Sequence, residues 1–120
     1  MSTRAVYTFK DEYNVHHVYK HHDGYPSGAI KFILKTLNKS WSLPRFEADE
    51  FAASFIAANK EDAGGVRLTE GFESHGDLDY RYETILKNKK LYTKIFQNNG
   101  SFKLVDEGFT NELFSKYSNN

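Results

Sequence analysis

The spacing of apolar residues changes period twice along this 120-residue chain, and that limits the folds open to it. Residues 4–9 and 15–21 are rich in β-branched and aromatic side chains and predict two strands, joined through polar residues 10–14 as a hairpin. Ile30, Ile33, Leu34, Leu37 and Trp41 then fall at helical spacing, one apolar stripe. A second helix is predicted over residues 47–59, with Phe51, Phe55 and Ala58 on one stripe and Ala48, Ala52 and Ile56 beside it. From Val66 onward the period returns to two.

The punctuation agrees with those periods. Asp23-Gly24 and Pro26-Ser27-Gly28 favour turns, and Ser27 is a candidate N-cap for the first helix. Ser42-Leu43-Pro44 breaks that helix. Glu47, Asp49 and Glu50 suit the positive end of the second helix dipole. Residues 60–65 read as a loop ending in Gly64-Gly65. Strands are predicted at 66–69, 77–86, 91–97 and 101–106, with a loop at 71–76, a tight connection at Asn88-Lys89 and a hairpin at Asn99-Gly100. Within 77–86, Leu78, Tyr80 and Tyr82 are expected on one face and Asp79, Arg81 and Glu83 on the other. A short helix over 110–117 would bring Phe109, Leu113, Phe114 and Tyr117 to the core, and the last three residues read as frayed. The sum is an α+β fold: N-terminal β-hairpin, two helices, antiparallel β-meander and a short C-terminal helix, in one layered domain of residues 1–120.

Charge and composition narrow the function classes. Lys plus Arg and Asp plus Glu are 16 each, so the formal net charge is zero. Non-specific nucleic-acid binders carry a cationic surplus against phosphate, so this balance weighs against a nucleic-acid partner, a local patch aside. It also weakens self-repulsion, which favours a homo-oligomer or a protein partner. With no cysteine, disulfides, thiolate metal sites and cysteine nucleophiles are excluded. Met1-Ser2-Thr3-Arg4 lacks the apolar region of a secretory signal, and no apolar run approaches the roughly 18 residues of a membrane span. A cytoplasmic location is the expectation.

The stretch Tyr19-Lys20-His21-His22-Asp23-Gly24-Tyr25-Pro26-Ser27-Gly28 is distinctive. It resembles a group of small uncharacterised phage-type proteins, including marine ones, in which an aromatic residue often stands where His22 stands here. Leu43-Pro44-Arg45-Phe46-Glu47-Ala48-Asp49-Glu50-Phe51-Ala52-Ala53 and Gly76-Asp77-Leu78-Asp79-Tyr80-Arg81-Tyr82 are similar to the same group. The resemblance spans residues 4–85 and implies a phage-type context, hence the cytoplasm of a host cell, but no activity and no cofactor.

Two kinds of site fit the distinctive stretch. Gly24, Ser27 and Gly28 leave N–H groups at a helix start, an anion-binding geometry to which Lys20, His21 and His22 add positive charge. Lys20, His21, His22, Asp23, Gly24, Tyr25, Ser27 and Gly28 are therefore the candidate anion or small-ligand site. His and Asp also ligate metals, but His17 and His21 would stand roughly 13 Å apart on a straight strand, too far to share an ion. A metal site would instead join His21 and Asp23 to His75 from a later segment. The competing explanation is a strand-to-helix turn whose glycines and proline serve geometry alone.

Other clusters have simpler explanations. Asp79, Arg81, Glu83, Lys94 and Lys103 fit ion pairs across neighbouring strands. Tyrosines at period two fit sheet packing better than base stacking. Ser54 sits among alanines and fits helix packing, and Arg45 fits a salt bridge to Glu47, Asp49 or Asp62. No catalytic constellation passes a spacing test, so the expectation is a non-enzymatic accessory protein that works by partner binding or self-assembly. The alternatives are a metal- or anion-binding protein or enzyme at residues 21–28, and a single-stranded nucleic-acid module using the sheet tyrosines.

Overall fold

The computed structural model describes residues 2–61 and 65–118. The chain opens with β1 (Ala5–Lys10) and β2 (Val15–Lys20), then α1 (Pro26–Lys35), a 3-10 turn (Thr36–Asn38) and α2 (Ala48–Asn59). It continues with β3 (Val66–Thr69), a second 3-10 turn (Phe72–Ser74), β4 (Tyr80–Lys87), β5 (Lys90–Asn98), β6 (Phe102–Phe109) and α3 (Thr110–Ser118). The order is the α+β sequence of elements that the changes of period predict. Gly64 and Asp62, in the predicted 60–65 loop, and the last two residues lie outside the described residues.

The six strands form one sheet in the order β3-β2-β1-β4-β5-β6. Four of the five pairings are antiparallel; β1 and β4 run parallel at the centre. The meander is therefore β4-β5-β6, while β3 turns back to pair with β2. The parallel centre forces the chain to cross the sheet between β3 and β4. It crosses on the face away from the helices, where Leu78 packs with Val6 and Tyr19.

The three helices cover the other face. Tyr7 of β1 packs tilted against Phe55 of α2 at 4.7 Å and Phe9 edge-on against Phe51 at 5.1 Å, while Tyr7 stacks on Tyr82 of β4 at 5.3 Å. Ile30 and Ile33 of α1, Val18, Val66 and Ile95 close the core. Buried rings and branched aliphatics of this size contribute roughly 1.5–3 kcal/mol each, and Ala48 and Ala52 let α2 sit close to the sheet.

Several local expectations change. Tyr25, not Ser27, is the N-cap residue of α1, because Pro26 presets the helical φ at the first position and has no N–H to satisfy. Trp41 lies beyond α1: the Thr36 hydroxyl bonds back to Phe32 O at 2.8 Å, the helix tightens into the 3-10 turn, and Trp41 lies exposed under the Arg45 guanidinium. Arg45 also reaches Glu47, 3.6 Å away. Leu78 faces away from Tyr80 and Tyr82, since β4 begins only at Tyr80. Phe114 is exposed on α3 while Leu113 is buried. Val105 is an extra residue on β6, placed by the register shift between Ile95–Asp106 and Phe96–Leu104.

Candidate functional site

The turn from β2 into α1 is built by close backbone packing. Asp23 takes a left-handed conformation (φ 60) that aspartate tolerates better than most residues. The Gly24 N–H then donates to Thr3 O at 2.8 Å, and a methyl group there would stand 2.7 Å from the Ala5 side chain. The Gly24 carbonyl accepts a hydrogen bond from the buried Tyr82 hydroxyl. Tyr25 O accepts from the N–H groups of Gly28 (3.0 Å) and Ala29 (2.9 Å), and Gly28 fits directly under the Asp23 carbonyl. Both glycines are thus explained by packing.

The turn also separates the predicted site residues onto two sides of the sheet. On the helix side, Lys20 is fully buried, its ammonium 4.2 Å above the Phe32 ring and bonded to His22 O at 3.3 Å. It belongs to the interior, not to an open anion site. Asp23 bears electrostatically on Tyr7, whose hydroxyl pKa burial pushes far up, with the Asp23 charge adding to it. Tyr25, Ser27 and Gly28 line a hollow of about 310 Å³ between α1 and α3, completed by Lys31, Phe114, Tyr117 and Ser118. Those three positions are the part of the expected ligand site that lines this hollow.

On the opposite side, His21 Nδ1 receives Arg4 Nε at 3.3 Å and lies 2.8 Å from the Tyr19 hydroxyl. A guanidinium only donates, so Nδ1 is an acceptor and His21 is neutral. Its pKa lies below the ordinary histidine value, through desolvation first and then the Arg4 charge. His22 packs edge-on against His21, 4.7 Å between ring centres. His75 stacks on the Tyr19 ring at 4.3 Å and its Nε2 lies 2.9 Å from the Thr69 hydroxyl. Arg4 fastens the end of the crossover: Nη1 reaches Asp77 at 2.7 Å, and its backbone N–H donates to Asp79 at 3.0 Å. His17, deeper on the same face, pairs with the Thr8 hydroxyl at 2.7 Å, and desolvation lowers its pKa.

His21 and His75 therefore both contact Tyr19, from different segments of the chain, while Asp23 bears on Tyr7 on the helix side. Among the described residues no group of three or more His, Asp or Glu side chains is placed to hold a metal ion. Arg4 and Tyr19 organise this cluster, although both lie outside the candidate site that the sequence marks at residues 20–28. Nothing local marks Arg4, whose partners lie 17 and 73 positions away.

Other surfaces are open as well. Strand β6 is an edge of the sheet, eight residues long, with Leu104 and Val105 47% and 49% exposed. At the end carrying the β1–β2 turn, Tyr13, Phe46, Ile85 and Leu86 wall a hollow of about 840 Å³ whose charged lining includes Glu12, Glu47, Glu83 and Lys94. Among the described residues no helix is long and apolar enough to cross a membrane. Compared with protein-family models, curated proteins and solved structures, the chain matches none.

Proposed function

We propose that this chain is a phage-type accessory protein that acts by contact with another protein chain, a partner or a second copy of itself, and not by catalysis. The observation that carries the reading is the outer edge of β6. Among the described residues no strand pairs with that side, and Leu104 and Val105 are half exposed there. An edge of this kind accepts a further strand, with main-chain hydrogen bonds supplying affinity and side-chain pockets specificity. The absence of net charge leaves little electrostatic repulsion between copies. The phage-type context rests on the resemblance of residues 19–28.

Light scattering across a concentration series, with hydrogen exchange of the β6 amides, tests the proposal. Association that protects the β6 amides, and that Leu104→Lys and Val105→Lys each weaken, is the expected result. A strict monomer whose β6 amides stay unprotected, also in the presence of an extract of the producing cell, overturns it.

A second reading has one observation in its favour: Ser27, Gly28 and Lys31 share the 310 Å³ hollow with Tyr25 and Tyr117. A small carboxylate or phosphate compound would fit those donors. Thermal shift with inorganic phosphate, present in the chain and absent in Lys31→Ala, is the expected outcome; no shift in either removes this reading.

A further inference from the structure

The zero net charge conceals a local surplus. At the β4–β5 hairpin, Lys87, Lys89 and Lys90 occupy three of four successive positions, and Lys94 follows on β5. The first three are exposed, and among the described residues none pairs with a carboxylate. Lys94, by contrast, has Glu83 and Glu107 as its cross-strand neighbours.

The turn itself sharpens the point. Asn88 (φ 51) and Lys89 (φ 66) both take the left-handed conformation of a two-residue hairpin, where Asn-Gly is the pairing that backbone sterics favour. A lysine stands where glycine would cost the backbone less. What it adds is a third positive charge at a rigid tip.

Aromatic rings lie near two of these cations. Lys87 Nζ is 4.4 Å from the centre of the Tyr92 ring and Lys90 Nζ is 6.0 Å from that of Phe109. The two rings meet edge-on at 5.3 Å, half-exposed, on the face the helices do not cover. Glu107 accepts a bond from the Tyr92 hydroxyl at 2.9 Å.

We infer that this hairpin binds single-stranded nucleic acid, a partner beyond the protein contact proposed for the outer edge of β6. Phosphates are taken by Lys87, Lys89 and Lys90, and a base stacks on Tyr92 or Phe109 as its covering lysine turns to the backbone. Cations set over flat rings favour this partner over an acidic protein, because every base offers a π-face and a carboxylate offers none.

Fluorescence anisotropy with labelled oligothymidylate and oligouridylate of equal length, over a range of salt, provides the test. Binding is expected at low salt, with log K falling against log salt at a slope of about −2, three contacts at roughly 0.7 each. Lys89→Gly separates binding from folding: glycine suits φ 66, so the variant melts no lower than the parent while its slope shrinks by about 0.7. Tyr92→Leu is expected to weaken binding about fivefold or more without changing the slope, the lower end for loss of one base stack. No binding by the parent at low salt overturns the inference, as does unchanged binding by Lys89→Gly. Equal affinity for a polyglutamate peptide, with Tyr92→Leu silent, also overturns it and assigns the hairpin to an acidic protein. A preference between the two oligonucleotides identifies DNA or RNA as the natural strand.

Discussion

Asp11 Oδ2 accepts a 2.7 Å hydrogen bond from the backbone N–H of Ala48, so a hairpin turn caps a helix that begins 37 residues later. The other oxygen accepts from the N–H groups of Tyr13 and Asn14, at 2.7 Å each. One carboxylate therefore closes the β1–β2 turn and satisfies the first turn of α2. These bonds, that of Ala48 foremost, hold its pKa below the ordinary 3.8. Asp11→Ala is expected to cost about 1–2 kcal/mol in urea unfolding at neutral pH. Because the folded pKa is depressed, the contribution is complete above 3.8 and disappears as pH falls through the folded value. Urea titrations in neutral and strongly acidic buffer should show the gap between parent and variant close on acidification. An unchanged gap would contradict the ionic cap.

Two stacked tyrosines of the core make opposite predictions. The Tyr82 hydroxyl donates to the Gly24 carbonyl, whereas the Tyr7 hydroxyl is buried and has no hydrogen-bond partner among the described residues. Tyr82→Phe orphans a buried carbonyl and is expected to cost about 1–3 kcal/mol; Tyr7→Phe removes an unsatisfied group and is expected to be neutral or stabilising. Burial raises both phenol pKa values, so neither ring ionises near neutrality. Chemical denaturation of the two variants gives the comparison directly, and equal losses would refute it.

These same residues show what the chain declares locally and what it does not. Periodicity places Tyr7, Val18, Phe51, Phe55 and Tyr82 in strands and helices of the correct type, because each buries a side chain at its element's own spacing. The pairing of β1 with β4 cannot be read that way. It joins residues some 75 positions apart and depends on how the helices and crossover fill the two faces of the sheet. The split of the 21–28 turn has the same origin. His21 and Ser27 are close in sequence, but the backbone passes through the sheet plane at Gly24, tied to Thr3 and Tyr82. The β4–β5 lysines are legible as letters, but the nearness of Lys87 to Tyr92 and of Lys90 to Phe109 depends on strand pairing that local pattern does not carry.

His17 and His21 give the fold a defined pH dependence. Desolvation lowers both pKa values, with the charge of Arg4 adding to the shift at His21. A histidine depressed in the folded state binds its proton more readily when unfolded. Stability from these two groups is therefore complete above the ordinary 6.5 and declines as pH falls below it toward the folded values. Melting temperature should drop between neutral and mildly acidic buffer, and a His17→Gln, His21→Gln double variant should flatten that drop. Proton-detected titration of the two rings should place both midpoints below 6.5; a midpoint above it would reverse the sign.

Glycine substitutions test the packing account of the turn against a conformational one. Gly24 is buried, and an added methyl group would stand 2.7 Å from the Ala5 Cβ and 2.8 Å from Thr3 O. Its backbone does not need positive φ, so Gly24→Ala should fail through crowding, at about 1–3 kcal/mol. Gly76, in the crossover, has nothing within 4 Å of an added methyl and no positive φ either. There the substitution narrows the unfolded ensemble and is expected to stabilise by about 0.4–1 kcal/mol. Unfolding both variants in urea, followed by far-UV circular dichroism, separates the cases. If Gly24→Ala unfolds like the parent, β2 and α1 are not held together by this close approach, and the 310 Å³ hollow beside Tyr25 loses the support of a rigid turn.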